Sequence, residues 1–486
     1  MKLKKLIKDL SNLIVKGSRE ISITGISSHS KTVYPGNLFV AKRGMMYDGC
    51  KFIPEAISNG AVAILTDLYD PFLPHHVTQL IHHDLLSIEA ELLNLYYHDP
   101  SSQLQLIGVT GTNGKTTTTY LIQYLLEGLG IKTGLSGTIE SIAGEHRIPS
   151  NFATQDIATN YKLLHEMQLA GCKAAVLEAS SHGLAQGRLS GLSFAVSVFT
   201  NITADHLDYH PTMQEYLAAK AKLFHVSKVA VVNADTDWVE GLLQGSSAKR
   251  ITYGIECKAD CQATGLSSAA DGSFFVLHYK LESVPAFCPL IGKFNVYNYL
   301  AAAAVALSQG ASLKEVVRIL SHFKAVPGRL ERIPNSLGCH IFVDYAHTGD
   351  GLENVLKALA PIKKGRLITL FGSGGDRDPN RRFQMGEVAE RLSDVTILTT
   401  DNPRSEDPAK IIQDILSCFK NTPPVVEPDR RCAIAKALEM AAPGDIILIA
   451  GKGHETRQIF ANQTLHFDDR EVTRELLLQV NPGRTL

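Results

Sequence analysis

The sequence predicts an α/β protein built of three units. Three observations predict it. The 486 residues exceed the roughly 250 to 300 that a single core commonly serves. Short apolar, strand-like runs alternate with helix-like segments, the pattern of mostly parallel sheets covered by helices on both faces. In the last third, each strand-like run passes straight into Gly, Asp, Arg or His, which gathers polar residues at strand carboxyl ends, where open α/β sheets place ligands.

The smaller N-terminal α/β domain spans 1–99. It contains the strand-like NLFVAKRG and AVAILTD, and the helical IEAELLNLYYH is broken by Asp99-Pro100-Ser101-Ser102. Its opening segment, MKLKKLIKDLSNLI, mixes Lys and Asp into apolar residues at helical spacing, unlike the uninterrupted apolar region of a signal peptide, so a cytoplasmic protein is expected. The central unit, 100–327, alternates LQLIGV, AAVLEA, FAVSVFTN and KVAVVNAD with helical segments such as TTTYLIQYLLEGLG. It closes with LAAAAVALSQ and LKEVVRILSHF before the turn Val326-Pro327-Gly328. The C-terminal unit, 328–486, repeats the alternation in HIFVDYAH, RLITLFGSGGDRD, VTILTTDNPR and DIILIAGKGHE, a Rossmann-like order of elements.

Composition excludes several classes. No stretch approaches the roughly 18 to 20 apolar residues of a membrane span. A formal net charge of -1 argues against a general nucleic-acid binder, whose affinity rests on clustered Lys and Arg. Of eight cysteines only Cys257 and Cys261 lie close together, with no second pair to complete a zinc site, so thiols in a reducing compartment are expected.

The strongest chemical signal is LIGVTGTNGKTTTTYLI, a strand, a Gly-rich turn and a helix start in register. Backbone N–H groups of such a loop hold phosphate oxygens, Lys115 supplies a mobile positive charge and Thr116 a hydroxyl for Mg²⁺. Val109 stands where GxxxxGK[ST] has its first Gly, and Gly108 and Gly111 flank it. The central domain is therefore read as a P-loop mononucleotide-binding parallel sheet. Such a loop needs an acid beside the metal, and Glu178 ends the apolar AAVLEA; alone, a strand-terminal Glu is usually just solvated. FTNITADHLDYH places Asp205, His206, Asp208 and His210 in one loop, from which one histidine could bind metal. Lys220 and Lys222 sit two apart on a helix, so only one of them can face a given site. Arg377 in GGDRD and Arg404 in DNPR could each grip a carboxylate in bidentate fashion, with Glu455 available for an amine.

Taken together, GVTGTNGKTTT, LEASSHGL, FTNITADHLDYH, GKFNVYNYLAA, VPGRLERI, DYAHT, GGDRD, DNPRSEDP and AGKGHE resemble the Mur ligases over nearly the whole chain and in the family's order. Within it, ASSHGL, DHLDYH, DNPR and GKGHE resemble members that add meso-2,6-diaminopimelate to the D-glutamate γ-carboxylate of UDP-N-acetylmuramoyl-L-alanyl-D-glutamate, in peptidoglycan precursor synthesis. The resemblance implies ATP and Mg²⁺ as cofactors, an acyl phosphate intermediate, small-molecule substrates and a monomer in the cytoplasm. Gly111, Thr112, Asn113, Gly114, Lys115, Thr116 and Thr117 then form the phosphate loop. Phe294, Asn295 and Asn298 resemble the adenine pocket, and Arg329, Asp344 and His347 are contributed to the nucleotide by the third domain. Thr116, Glu178, His206 and Lys220, the last carried as an N6-carboxylysine, match the metal ligands. Ser30, Ala153, Thr154, Ser180, Gln186 and Arg188 match the UDP-muramyl dipeptide site, and Arg377, Asp401, Asn402, Arg404, Gly451 and Glu455 the diaminopimelate site. Arg404 is expected to set specificity by pairing with the distal carboxylate that L-lysine lacks.

Three positions depart from the family's usual pattern. His29-Ser30-Lys31 replaces Asp-Ser-Arg at the uridine segment. Ala153-Thr154-Gln155-Asp156 replaces Thr-Thr-Pro-Asp and removes one hydroxyl. Gly349 follows DYAHT where a proline is usual, and is expected to loosen that loop. The rival readings are the lysine-adding relative, a ligase like folylpolyglutamate synthetase, a kinase-like phosphotransferase, and a nucleotide-binding regulator that makes no product.

Overall fold

A computed structural model describes residues 1–43, 48–150 and 152–480. The chain divides into two compact units, Met1–Tyr253 with Ala304–Ala311, and Gly254–Ala303 with Ser312–Leu486.

The first unit holds two sheets. The N-terminal one comprises β1 (Ile14–Lys16), β2 (Gly25–Ser27), β3 (Asn37–Val40), β4 (Ala63–Thr66) and β5 (Thr78–Ile81), in the order β1-β5-β4-β3-β2. Strands β2 to β5 run parallel and β1 is antiparallel at the edge. Two details differ from the sequence reading. The helical spacing at the N-terminus yields only one turn, Leu3–Leu6, whose two leucines are buried on this core; residues 7–13 form turns and irregular chain, and Ile14 begins β1. NLFVAKRG is strand only as far as Val40, and its Gly44 lies outside the described residues.

The second sheet is built on β6 (Gln105–Thr110), β7 (Thr133–Ser136), β8 (Glu140–Ala143), β9 (His146–Pro149), β10 (Ala174–Glu178), β11 (Phe194–Phe199), β12 (Ser227–Asn233) and β13 (Lys249–Gly254). Its order here is β13-β12-β11-β6-β10-β7-β8-β9. Strands β7, β10, β6, β11, β12 and β13 are all parallel. Their near-continuous apolar runs follow from burial on both faces. Strand β6 is central, with Glu178 of β10 opposite Val109 on one side and Phe199 of β11 opposite Thr110 on the other. That register brings three strand ends to one edge, and those ends carry the chemistry. One face of the N-terminal sheet, with Leu38, Val40 and Leu65, shares a buried cluster with Leu106, Leu177 and Phe199 of the second sheet, whereas its other face, with Phe39 and Ile64, packs in a cluster of its own.

In the second unit, β14 (Cys261–Ala269), β15 (Gly272–Tyr279) and β16 (Glu282–Cys288) form an antiparallel meander. A six-stranded sheet follows: β17 (Glu331–Ile333), β18 (His340–Asp344), β19 (Leu367–Phe371), β20 (Val395–Leu398), β21 (Val425–Val426) and β22 (Ile446–Ala450), ordered β17-β18-β22-β19-β20-β21. All but β17 are parallel. Successive residues alternate between two cores. Phe342, Phe371 and Leu448 face the helices Gly349–Leu359, Asn380–Leu392 and Pro408–Leu416, whereas Ile341, Val343, Leu370 and Ile449 face Arg430–Met440 and Asp469–Val480. This two-sided wrapping is the doubly wound pattern the alternation predicts.

Gly349 does not loosen its loop. Thr348 caps the helix by accepting the Gly351 N–H at 3.1 Å, and a Cβ at 349 would meet the Cβ of Gln384 at 2.7 Å. The close approach of the two helices favours the smallest residue here, so the departure from proline is a packing choice.

Candidate functional site

At the centre of the first unit the chain leaves β6, turns through 111–114 and enters the helix Lys115–Gly128. Gly114 turns at φ 85°, a left-handed conformation that glycine alone adopts freely. The Lys115 ammonium folds back over the loop, donating to the carbonyls of Gly111 at 2.9 Å and Thr112 at 2.7 Å. Thr116 and Thr117 are buried in the first helical turn, whose N–H groups form the positive end of a helix.

The segment after β11 latches this loop. Asn201 accepts the Asn113 N–H at 2.9 Å and donates to its carbonyl at 3.1 Å, its own carbonyl accepts the Thr112 N–H at 2.9 Å, and the Thr200 hydroxyl donates to the Asn113 carbonyl at 2.6 Å. Sequence reading missed this pair, although FTN directly after an apolar strand was the available signal. The Thr112 hydroxyl lies 3.1 Å from the Tyr216 hydroxyl, tying the loop to the helix Met213–His225.

Glu178, at the end of β10, is buried, and both its oxygens are oriented by Thr138, through N–H at 2.8 Å and Oγ1 at 2.9 Å. A Cβ on Gly137 would stand 2.5 Å from Glu178 Oε1, so glycine leaves room for the carboxylate. Lys220 is buried on the helix Met213–His225, with its amine 4.2 Å from the centre of the Tyr216 ring, whereas Lys222 is exposed. Burial, reinforced by the positive Lys115, pushes the Lys220 ammonium well below the usual lysine range against the opposing pull of Asp205. His206 adopts φ 55°, a strained conformation for a non-glycine residue and one that clusters at functional sites. Burial lowers its imidazole to about 4, against a raising pull from Asp205 and with further lowering from His182, Lys115 and Lys220, so it is neutral near pH 7 with a lone pair to offer. His182 packs edge-on against it at 4.7 Å, and His210 lies 5.2 Å from the Tyr216 ring.

Among the described residues, no group of three or more His, Cys, Asp and Glu is arranged to hold a metal ion. The donors near the loop fit Mg²⁺ on another ground. This ion takes few protein oxygens and keeps water and phosphate oxygens for the rest, and the buried, doubly anchored Glu178 carboxylate with the Thr116 hydroxyl supplies such a partial set.

Beside Glu178 the unit assembles a second group. The Thr154 hydroxyl donates to the Glu178 carbonyl at 2.8 Å, lies 3.0 Å from the Ser180 hydroxyl and accepts the Ser180 N–H at 2.9 Å. Arg188 donates to the Thr154 carbonyl at 2.7 Å and twice to Gln186 Oε1, at 3.0 and 2.6 Å, while Gln186 reaches Tyr209. Ala153 adjoins Thr154 in the chain. Ser30 is buried in a 3₁₀ turn capped by His29, whose ring accepts the Lys31 N–H at 3.2 Å, and its carbonyl accepts from Asn59 at 3.0 Å.

The second unit carries the remaining candidates. At the start of the helix Lys293–Ser308, the side chain of Asn298 donates to that of Asn295 at 3.0 Å, and Asn295 to the Ile291 carbonyl at 2.8 Å, with Phe294 directly preceding Asn295 in sequence. At the end of β18, Asp344 accepts the N–H groups of Leu330 and Ala346, both at 2.7 Å, and burial raises its carboxyl against the pull of Arg329. The Arg329 guanidinium lies 4.5 Å from the Tyr345 ring, and His347 packs on that ring at 4.5 Å.

Four loops meet at the carboxyl ends of β18, β22, β19 and β20. Arg404 stands at φ 52° and donates to the Gly375 carbonyl at 2.7 Å. Arg377 is exposed on the neighbouring loop. Asp401 accepts the Asn402 N–H at 2.6 Å and lies against Gly451, where a Cβ would come within 2.5 Å of its Oδ2. Glu455 accepts the Asn402 amide at 2.7 Å, and burial, then Asp401, raise its carboxyl above the usual range. Lys452, which sequence reading left out, is fully buried among these groups. Its place in GKGHE between two site residues was the only signal.

A phosphate-gripping loop at the middle of a parallel sheet, a buried carboxylate at the adjoining strand end and a polar loop cluster on a second, doubly wound sheet define a P-loop ligase. Family models match in chain order: "Mur ligase family, catalytic domain" over residues 22–96, "Mur ligase middle domain" over 109–306 and "Mur ligase, glutamate ligase domain" over 328–453. The chain belongs to the Mur ligase family. It is 44% identical over 483 residues to the UDP-N-acetylmuramoyl-L-alanyl-D-glutamate--2,6-diaminopimelate ligase of Chlamydia caviae, covering 98% of this chain and 99% of that one. The ligase of the same name from Caldanaerobacter subterraneus is 40% identical, with 99% of both chains covered. A solved structure of a UDP-N-acetylmuramoyl-L-alanyl-D-glutamate--2,6-diaminopimelate ligase superposes with TM-score 0.70 at 31% identity over all of both chains.

Proposed function

We propose that this ligase adds meso-2,6-diaminopimelate to the D-glutamate γ-carboxylate of UDP-N-acetylmuramoyl-L-alanyl-D-glutamate, with hydrolysis of ATP to ADP and phosphate. The observation that carries the substrate choice is the DNPR loop after β20, where Arg404 stands at φ 52° in one loop with buried Asp401 and with Asn402, which is bonded to half-buried Glu455. One guanidinium with two carboxylates suits one carboxylate with one ammonium, the distal end of diaminopimelate; L-lysine has no distal carboxylate. Full-length similarity to ligases of that name supports the same reading.

A carboxylate is a poor acylating agent. In the first step an oxygen of the γ-carboxylate attacks the γ-phosphorus, the bond to the bridging oxygen breaks, and ADP leaves. In the second, the neutral amine of diaminopimelate attacks the acyl carbon through a tetrahedral intermediate. Phosphate departs, and the proton from nitrogen passes to solvent. Lys115 and the N–H groups of Gly114 to Thr117 hold the phosphates and stabilise charge as it moves to the bridging oxygen. Thr116, Glu178, His206 and Lys220 as its carbamate would hold magnesium, which when bound neutralises charge on the phosphates. A buried Lys220 amine held well below the usual lysine range suits that modification, because only the free base adds CO₂, releasing one proton as the carbamate forms.

Phe294, Asn295, Asn298, Arg329, Asp344 and His347 are assigned to the nucleotide. Ser30, Ala153, Thr154, Ser180, Gln186 and Arg188 are assigned to the UDP-muramyl dipeptide, and Arg377, Asp401, Asn402, Arg404, Gly451 and Glu455 to diaminopimelate. We divide the chain into domains at 1–99, 100–327 and 328–486 and place it in the cytoplasm as a monomer. No helix among the described residues is long and apolar enough to cross a membrane.

The test is phosphate release measured with the UDP-muramyl dipeptide, with diaminopimelate or lysine, and with both kinds of substrate together. Release should require the dipeptide and diaminopimelate jointly, with lysine a poor replacement. Release without the amino acid, or equal use of lysine, overturns the reading.

A further inference from the structure

The side-chain oxygen of Asn402 is fully committed within the protein, and one of its two amide N–H groups is held by Glu455. Its Oδ1 accepts from the Lys452 ammonium at 3.2 Å and from the Ile459 N–H at 3.0 Å, and its Nδ2 donates to Glu455 Oε2 at 2.7 Å. Its main chain is equally committed, the N–H to Asp401 at 2.6 Å and the carbonyl to the Gly375 N–H at 2.9 Å. With two donors at the oxygen, only one orientation of the amide is consistent with these contacts, which fixes the nitrogen toward Glu455. Lys452, fully buried, completes the arrangement by donating to Glu455 Oε2 at 3.4 Å and to the Arg457 carbonyl at 2.5 Å.

Two ion pairs lie here, Arg430 with Asp469 and Lys452 with Glu455, and Asp401 acts on Glu455 as a second acid. Arg430 is consumed by Asp469, to which it donates twice at 2.7 Å, and by the Ala450 carbonyl at 2.9 Å. With Arg430 committed to Asp469, Lys452 is the cation paired with Glu455, at 3.4 Å.

We infer that Lys452 is a positioning residue for recognition of the incoming amino acid, acting with Asn402 to hold Glu455 oriented and ionised so that it can receive the substrate's ammonium. The inference rests on the reading that Asp401 and Glu455 form the ammonium end of the diaminopimelate site. Without Lys452, Glu455 faces Asp401 uncompensated in a buried setting and takes up a proton, which turns an acceptor of the ammonium into a neutral carboxyl. The charged or titratable groups that act on Glu455 are Asp401 from the loop after β20, Lys452 from its own loop, Arg430 from the helix Arg430–Met440 and Tyr345 from the loop after β18.

The experiment is steady-state kinetics of the full chain and its Lys452→Met and Asn402→Leu variants, each shown by circular dichroism to be folded. Measurements are made at neutral pH and about two pH units higher, with the wild type as reference at each pH. The KM for diaminopimelate should rise at least about tenfold at neutral pH, and the KM values for ATP and the UDP-muramyl dipeptide should stay as they were. Raising the pH should ionise Glu455 and bring the diaminopimelate KM back toward the wild-type value. Asn402→Leu carries the test if Lys452→Met does not fold, since it removes the other group that orients Glu455. An unchanged KM, a rise that persists at the higher pH, or a fall in kcat alone would each overturn the inference. A wild-type enzyme that does not use diaminopimelate would instead overturn the proposed function, so the two failures are distinguishable.

Discussion

Lys115 donates to two carbonyls of its own loop, and these bonds are of the kind a phosphate oxygen can replace. Lys115→Ala should abolish ATP-dependent phosphate release in a chain shown by circular dichroism to be folded; activity within about tenfold of wild type would remove it from the phosphate site. Lys220 makes a different demand, since its amine is buried against Tyr216 and pushed well below the usual lysine range. Lys220→Ala should lose activity and regain part of it with added short-chain carboxylic acids, assayed by phosphate release across acid concentrations. A flat response would argue against a carbamate there. Arg404→Ala should erode the preference for diaminopimelate over lysine, read as the ratio of kcat/KM values, by about tenfold or more. At this scale the sequence was informative where chemistry forces a residue type, as at Lys115, Thr116 and Glu178. It was silent where a residue acts by holding another, as Thr138 holds Glu178 and Lys452 holds Asn402, because a threonine or lysine in a loop has no spacing that tells its partner.

At the scale of elements, parallel strands were legible because burial on both faces leaves continuous apolar runs: AAVLEA became β10 and HIFVDYAH became β18 up to the residue where polarity begins. The antiparallel pieces were not. Strands β8 and β9 and the meander β14 to β16 alternate buried and exposed residues weakly, with a register shift between Thr264 and Ser267 in β14, so no clean period of two marks them. The latch after β11 was likewise hidden, since it depends on which strand neighbours β6, a fact of topology. Its importance can be measured. Asn201→Ala removes two hydrogen bonds to Asn113 and should raise the KM for ATP about tenfold while leaving the KM for diaminopimelate alone, with equal changes in both arguing for a general loss of fold.

For the whole molecule, phosphate transfer and amide formation are useful only in sequence. A P-loop enzyme that released phosphate before the acceptor acid was bound would simply hydrolyse ATP. The candidate groups for acceptor acid and phosphate share one strand, because Glu178 is anchored by Thr138 through its carboxylate and by Thr154 through its carbonyl. Thr154→Val, which retains shape and loses three hydrogen bonds, should therefore lower phosphate release and weaken the UDP-muramyl dipeptide together. An effect on dipeptide KM alone, in the same assay, would separate the two groups. The order of units and the doubly wound character of the last sheet were readable from alternation; the contacts that join one strand end to the next were not, since they lie between residues far apart in the chain.

One feature of the second unit bears on how this protein can change over time. The backbones of Gly328 and Gly453 touch so closely that a Cβ on the former would lie 2.1 Å from the Gly453 carbonyl carbon, and one on the latter 2.6 Å from the Gly328 carbonyl oxygen. Neither turn can acquire even a methyl group without displacing the other, so the segment bearing Arg329 and the segment bearing Glu455 must drift as a pair. Descendants that altered their taste for an amino acid would have had to do so with side chains further along each turn, leaving this crossing of bare main chain in place.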